Sequence, residues 1–245
     1  MCVILFKPKN VSLPNKSTIK AMWEHNSDGA GFMWKDVSTN TVHYRKGYFD
    51  FEKFYSDVKS ICTKDMEFAI HCRIATSGGV NKGMCHPFPL LNNDLRLKSS
   101  HGDSDSYPVM MHNGIIPTTY VRDLSDTCSY IINSLVPRYK KDNLFFYNPI
   151  MESKIEHEIA WSKLLFFSPK ADAKMIGDWK KMDGCYYSNL RFVPYKAPKR
   201  SYESHDRTYV DAYGREYTYG YGYSYRQSDS WRESYKEYWN ALLED

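Results

Sequence analysis

Apolar positions along this chain follow two spacings. Short runs rich in β-branched and aromatic residues, each bounded by turn residues, occur at 2–6, 31–34, 41–44, 67–72, 109–112, 163–168, 173–176 and 184–188, and runs of this kind predict strands. The first of them places the Cys2 thiol at the very end of a strand. Three- and four-residue spacing of apolar positions predicts helices over 17–26, 50–62 and 126–136, the last capped by Ser125 or Asp126. Strands and helices mixed with little βαβ alternation predict α+β layering rather than a doubly wound parallel sheet. Residues 91–107, rich in Asn, Ser, Asp, Gly and Lys, read as an exposed inserted loop.

The pattern changes near residue 199. From there Tyr alternates with Gly, Ser, Arg and Asp, most densely over 217–225, and this low complexity has no pattern for a packed core. The organisation read from the sequence is therefore a domain over 2–198, a Tyr/Gly-rich tail over 199–228 and an amphipathic helix over 229–245. Ser230 and Glu233 match a capping box for that helix, and Trp231, Tyr235, Trp239 and Leu242 share one face. Such a face needs a partner, either on its own domain or on another subunit, a homo-oligomer included.

Length and composition narrow the class. The 245 residues, 42% of them hydrophobic, suffice to bury a core, and the formal charge of +4 is too small to point to nucleic acid or an anionic membrane. Acidic residues slightly outnumber basic ones in the aromatic tail, which leaves no cationic funnel for a single strand. The apolar start has no basic segment before it and no cleavage site, and no apolar stretch is long enough to span a bilayer, so a cytoplasmic protein is expected. In that compartment the six cysteines stay reduced. None forms a CxxC pair and no Cys/His cluster has zinc-finger spacing, so no structural metal is expected.

Cys2 carries the candidate chemistry. A free thiol with a pKa of about 8.5 needs a base near neutrality. Removal of Met1 would expose an α-amine of pKa about 7.7–8 on the same Cα, and that amine could take the thiol proton and later return it to a leaving group.

Further motifs stand downstream in a fixed order: Asp28-Gly29-Ala30-Gly31, His71-Cys72-Arg73-Ile74-Ala75-Thr76-Ser77-Gly78, Met84-Cys85-His86-Pro87-Phe88, His112-Asn113-Gly114, Ser125-Asp126-Thr127 and Tyr187-Ser188-Asn189. Together with Cys2 this set resembles the class II glutamine amidotransferases, which are N-terminal-nucleophile hydrolases, over roughly residues 2–193. Each motif alone is a weak signal; the joint order is a strong one.

The resemblance implies a four-layer αββα sandwich with two antiparallel sheets between helices. It implies Cys2 as nucleophile, with the Asn113 side chain and the Gly114 backbone N–H as the oxyanion hole. Arg73 would pair with the carboxylate of glutamine and Asp126 with its α-amino group, while Thr76 and His86 would line the substrate pocket. Ile74 and Ser77 stand where the better-known members often carry Trp and His, and Met84 stands where Asn is usual.

The implied reaction releases ammonia from the glutamine side chain through a thioester and requires neither a metal nor an organic cofactor. About 50 further residues are too few for a second catalytic domain, so the acceptor would lie on a separate synthetase subunit. A stand-alone hydrolase of a γ-glutamyl amide and a catalytically idle module that binds glutamine or a partner are the alternatives.

Overall fold

The computed structural model describes residues 2–75 and 79–194, together with the backbone of 206–210 and 216–220. The chain divides into two compact units, Met1–Val193 and Pro194–Asp245.

In the first unit, the short apolar runs become two antiparallel sheets. One has seven strands: β1 (Val3–Lys7), β2 (Ala30–Lys35), β3 (Val42–Tyr48), β4 (Phe68–Cys72), β6 (His101–Ser104), β10 (Lys180–Met182) and β11 (Cys185–Tyr187), in the order β10-β11-β1-β4-β2-β3-β6. The other has four: β5 (Phe88–Pro89), β7 (Val109–Asn113), β8 (Lys163–Ser168) and β9 (Ala171–Ile176), in the order β5-β7-β8-β9.

Side chains on a strand alternate between its faces, and the cores follow that alternation. Val109 and Met111 of β7 and Leu165 and Phe167 of β8 meet Ile4, Phe6, Met33, Tyr44 and Ala69 of the larger sheet, so the two sheets pack face to face. Met110, Leu164 and Phe166 point the other way. They join Cys128, Ile131, Leu135, Ile155 and Ile159 from the helices after β7.

Those helices are α4 (Asp126–Tyr130), α5 (Val136–Lys141) and α6 (Pro149–Ile159). The outer face of the larger sheet carries α1 (Lys16–His25) and α2 (Phe51–Ile61), whose Trp23 and Phe54 stack among Phe32 and Tyr48. The architecture is α+β, with helices outside two facing antiparallel sheets.

Several elements differ from their sequence-based outlines. The helix expected over 126–136 widens to a π turn at Ile131–Leu135 before continuing as α5. Pro137 stands two residues after the π turn ends; it lacks an N–H and its ring would clash with the carbonyl four residues back, which is how prolines break a regular ladder. The expected loop over 91–107 is instead a short helix, α3 (Asp94–Lys98), capped by Asn93, and then β6 paired with β3. Leu97 anchors it in the core, and the buried Lys46 Nζ donates to the Leu97 carbonyl at 2.6 Å and the Gly83 carbonyl at 3.0 Å.

Helix α6 has no counterpart among the expected elements, although Asn148 accepts from the Ile150 and Met151 N–H groups in front of a proline, a combination that starts helices. The first strand begins at Val3, one residue after Cys2. In the second unit, β12 (Asp206–Val210) and β13 (Glu216–Gly220) pair antiparallel with Thr208 opposite Thr218 and Tyr209 opposite Tyr217, where the sequence predicts only a weakly ordered tail. Alternating Tyr and Thr favour extended backbone even where no core pattern is present. The helix expected over 229–245 lies outside the described residues.

Candidate active site

The pairing of β1 with β4 assembles the first half of the site. Val3 lies opposite Cys72 in an antiparallel register, so the residue before β1 meets the residues after β4. Cys2 and Ile74 are joined there: the Ile74 N–H donates to Cys2 Sγ at 3.4 Å. Burial pushes the Cys2 thiol above its ordinary pKa, opposed by that hydrogen bond and by the positive charges of the amino terminus and Arg73. A thiol in this setting needs a proton acceptor to become a nucleophile.

The Asp28-Gly29-Ala30-Gly31 turn fixes the strand end that carries Arg73. Asp28 N–H donates to the Arg73 carbonyl, Arg73 N–H donates to the Gly29 carbonyl, and Asp28 Oδ2 accepts from the Ala75 N–H, all at 2.9 Å. Arg73 is buried, and its guanidinium donates to the Gly79 carbonyl at 2.8 Å. Gly31 is small for a packing reason, because a Cβ there would stand 2.1 Å from the His86 carbonyl oxygen. The close approach seats the His86–Pro87 segment against β2.

The second sheet and α4 supply the other half. Asn113 ends β7, and Gly114 follows at φ +141°, a conformation that only glycine adopts readily. Ser125 caps α4 by accepting from the Cys128 N–H, and the first helical residue, Asp126, accepts the Ile116 N–H on Oδ2 at 3.0 Å. The Asp126 carboxylate thus sits at a helix start, beside backbone donors that favour negative charge.

Three buried histidines link the two halves. His71 Nε2 donates to the His112 carbonyl at 3.0 Å, His112 Nδ1 shares a hydrogen bond with Thr127 Oγ1 at 2.9 Å, and His86 stacks on His71 with ring centroids 4.2 Å apart. Burial pushes the His71 pKa down to about 3 and the His112 pKa down to about 4, and places His86 well below the ordinary value. All three rings are therefore neutral at physiological pH.

Cys2, Arg73, His86, Gly114 and Asp126 line one cleft, together with Ile74, Met84, His112, Ser125 and Thr127. Of the other residues singled out in the sequence, Asn113 is buried directly behind Gly114 and hydrogen-bonded to Ser188, and Thr76 lies outside the described residues. The cleft encloses about 20 Å³, room for roughly one water molecule. A ligand the size of an amino acid enters only if side chains around it move.

Sequence reasoning assigned no role to Ile74, His71, His112, Thr127, Ser188 or Asn189. Asn189 Nδ2 donates to the Cys2 carbonyl at 2.8 Å and so holds the backbone of the thiol residue. The motifs quoted above contain all six; only the fold reveals their contacts.

A larger open groove of about 810 Å³ crosses β3 and β6 and shares no lining residue with the Cys2 cleft. Its His43 and Arg45 are spent on neighbours, His43 on Asp103 at 2.6 Å and Arg45 on Asp57 at 3.8 Å. It lacks the nucleophile and the convergent donors of the smaller cleft.

No helix among the described residues is long and apolar enough to cross a membrane, and no group of three or more His, Cys, Asp or Glu side chains among them could hold a metal ion. No protein-family model matches the chain, and no curated protein matches it. Among solved structures it is similar to the glutamine phosphoribosylpyrophosphate amidotransferase from B. subtilis complexed with ADP and GMP, at 12% identity and a TM-score of 0.47. The match covers 76% of this chain and 41% of that one.

Proposed function

We propose that residues 2–193 are a glutaminase domain of the N-terminal-nucleophile type that releases ammonia from glutamine for an acceptor on another chain. The observation that carries this reading is the meeting of Cys2, Arg73, Asp126 and Gly114 in one cleft. Glutamine bears a carboxylate, an ammonium group and an amide, and selective hydrolysis needs a cation, an anion and a nucleophile beside hydrogen-bond donors in fixed relation. The helix–sheet–sheet–helix order supports the αββα assignment.

In the proposed reaction, removal of Met1 leaves the α-amine of Cys2 as the base. The amine takes the thiol proton, and Sγ attacks the side-chain carbonyl carbon of glutamine. The negative charge that grows on the carbonyl oxygen is met by the Gly114 N–H and the Asn113 amide. The C–N bond then breaks, the amine returns its proton to the departing nitrogen, and ammonia leaves behind a γ-glutamyl thioester. Water attacks the thioester, giving glutamate and restoring the thiol. Arg73 and Asp126 hold the two ends of the amino acid throughout, and His86 completes the pocket wall. The raised thiol pKa supports the need for such a base.

The test is intact-mass spectrometry after incubation with 6-diazo-5-oxo-L-norleucine, a glutamine-like alkylating agent. The processed wild type should gain a single adduct that excess glutamine suppresses and that Cys2→Ala abolishes. A fully processed protein that gains no adduct and releases no glutamate with any candidate partner would sink the glutaminase reading and favour an idle binding module.

A further inference from the structure

Ser188 is 2% exposed and makes two contacts that matter to Asn113. Its Oγ accepts from the Ile4 N–H of β1 at 2.8 Å and from Asn113 Nδ2 at 2.8 Å. The Ser188 N–H also donates to the Ile4 carbonyl at 2.9 Å, which fixes the residue against β1. Asn113 is equally buried, and its Oδ1 has no partner among the described residues. One end of the amide is gripped by Ser188 while the other is bare.

An asparagine amide has two settings, related by half a turn about its Cβ–Cγ bond, which exchange the oxygen and the NH₂ group. In the present setting the bare end is the oxygen, and an oxygen repels a neighbouring negative charge. In the turned setting the oxygen faces Ser188, and both N–H bonds occupy the place of the bare end. A serine hydroxyl accepts twice and donates once. The Ile4 N–H already occupies one lone pair, so the hydroxyl proton remains for Asn113 Oδ1. The present setting spends one N–H on Ser188 and leaves the oxygen at the bare end, whereas the turned setting puts the NH₂ group there as a donor to an oxyanion.

We infer that Ser188 is a positioning residue which, by donating its hydroxyl proton to Asn113 Oδ1, turns the Asn113 amide so that its N–H groups face the reacting oxygen. This rests on the glutaminase reading above. Ser188 touches neither glutamine nor Cys2 Sγ in this scheme; it acts through Asn113 alone. Alanine at 188 would remove both the grip and the bias between the two settings.

Glutamate release from glutamine by the full-length processed protein tests the inference in a double-mutant cycle of Ser188→Ala and Asn113→Ala. A lost oxyanion donor lowers kcat by about 10²–10³, and Ser188→Ala, which only loosens the donor, is expected to lower kcat by about 10- to 100-fold with KM nearly unchanged. In the Asn113→Ala background the same substitution should add less than about threefold, since residues that act as a unit are not additive. Alkylation of Cys2 by iodoacetamide, a displacement that builds no oxyanion, should proceed at the wild-type rate in Ser188→Ala, and Ser188→Thr, which keeps the hydroxyl, should restore kcat.

Wild-type kcat in Ser188→Ala, an equal loss in both backgrounds, or a fall in alkylation that matches the fall in kcat would each overturn the inference while leaving the glutaminase reading intact. A wild type that releases no glutamate removes that reading, and this inference with it.

Discussion

Gly114 has its φ at +141°, and a Cβ added there would stand 2.1 Å from Ser162 Oγ. Ser162 cannot withdraw, because its hydroxyl donates to the Ile115 carbonyl at 3.1 Å and its N–H donates to the Ile159 carbonyl at 3.0 Å. Overpacking of this kind costs about 1–3 kcal/mol, and an L-residue at positive φ adds about 1–2 kcal/mol. Gly114→Ala is therefore expected to lower unfolding free energy by at least about 2 kcal/mol in urea titration, and to slow Cys2 labelling by the glutamine-like diazo ketone. Unchanged stability would show that β7 can shift to make room. At this scale the sequence was informative about residue types: the glycine after Asn113 and the acid at a helix start were legible from their motifs. That Gly114 is confined by Ser162, 48 positions away, was not, since nothing local records a contact between distant segments.

Elements decide the electrostatics of the site. β4 carries His71, β7 carries His112, and the segment held against β2 by Gly31 carries His86. Three ionisable rings in one dry layer stay neutral because burial penalises the charged form. In the unfolded chain each takes a proton below its ordinary value of 6.5, whereas in the folded chain His71 does so only near 3 and His112 near 4. Folded values lie below unfolded ones, so the unfolded state binds the extra protons. The associated stability is present above about pH 6.5 and is lost as pH falls toward 4. Each ring contributes a slope of about 1.4 kcal/mol per pH unit within that window, and the three together about 4. Urea midpoints measured between pH 6.5 and 5 should fall accordingly, and His86→Leu should remove about a third of the slope. A flat profile would mean that the rings are protonated in the native state.

Elements also show where periodicity runs out. The helix at 126–136 is evident from its spacing, but the π turn reflects Pro137 acting on the preceding residues. The pairing of β6 with β3 arises from a polar segment whose single buried apolar residue, Leu97, is too sparse to form a pattern.

Across the whole molecule, the two core clusters built on the faces of β7 and β8 draw all their described residues from before 194. A chain ending at Pro194 is expected to unfold cooperatively with a midpoint within about 4 °C of the corresponding transition in the full protein, which corresponds to a difference below roughly 1 kcal/mol at this size. Scanning calorimetry of both proteins checks this, and a larger drop would show that the second unit contributes to the stability of the first.

Sequence alone determined the kinds of elements and the chemistry on offer. Short apolar runs bounded by turn residues marked β1, β2, β4, β7 and β8, and amphipathic spacing marked α1 and α2. The ordered motifs named the thiol, the arginine, the acid and the Asn-Gly pair. These are local properties, set by backbone preference and by side-chain type.

Tertiary structure decided what those residues meet. It placed β1 between β11 and β4, which sets Cys2 beside Ile74 and Asn189. It set Ser188 against Asn113, made the histidines neutral, and closed the cleft to about 20 Å³. Each of these depends on strand order and on the facing of two sheets, and such long-range pairings are chosen by the burial of the whole core rather than by any segment within it.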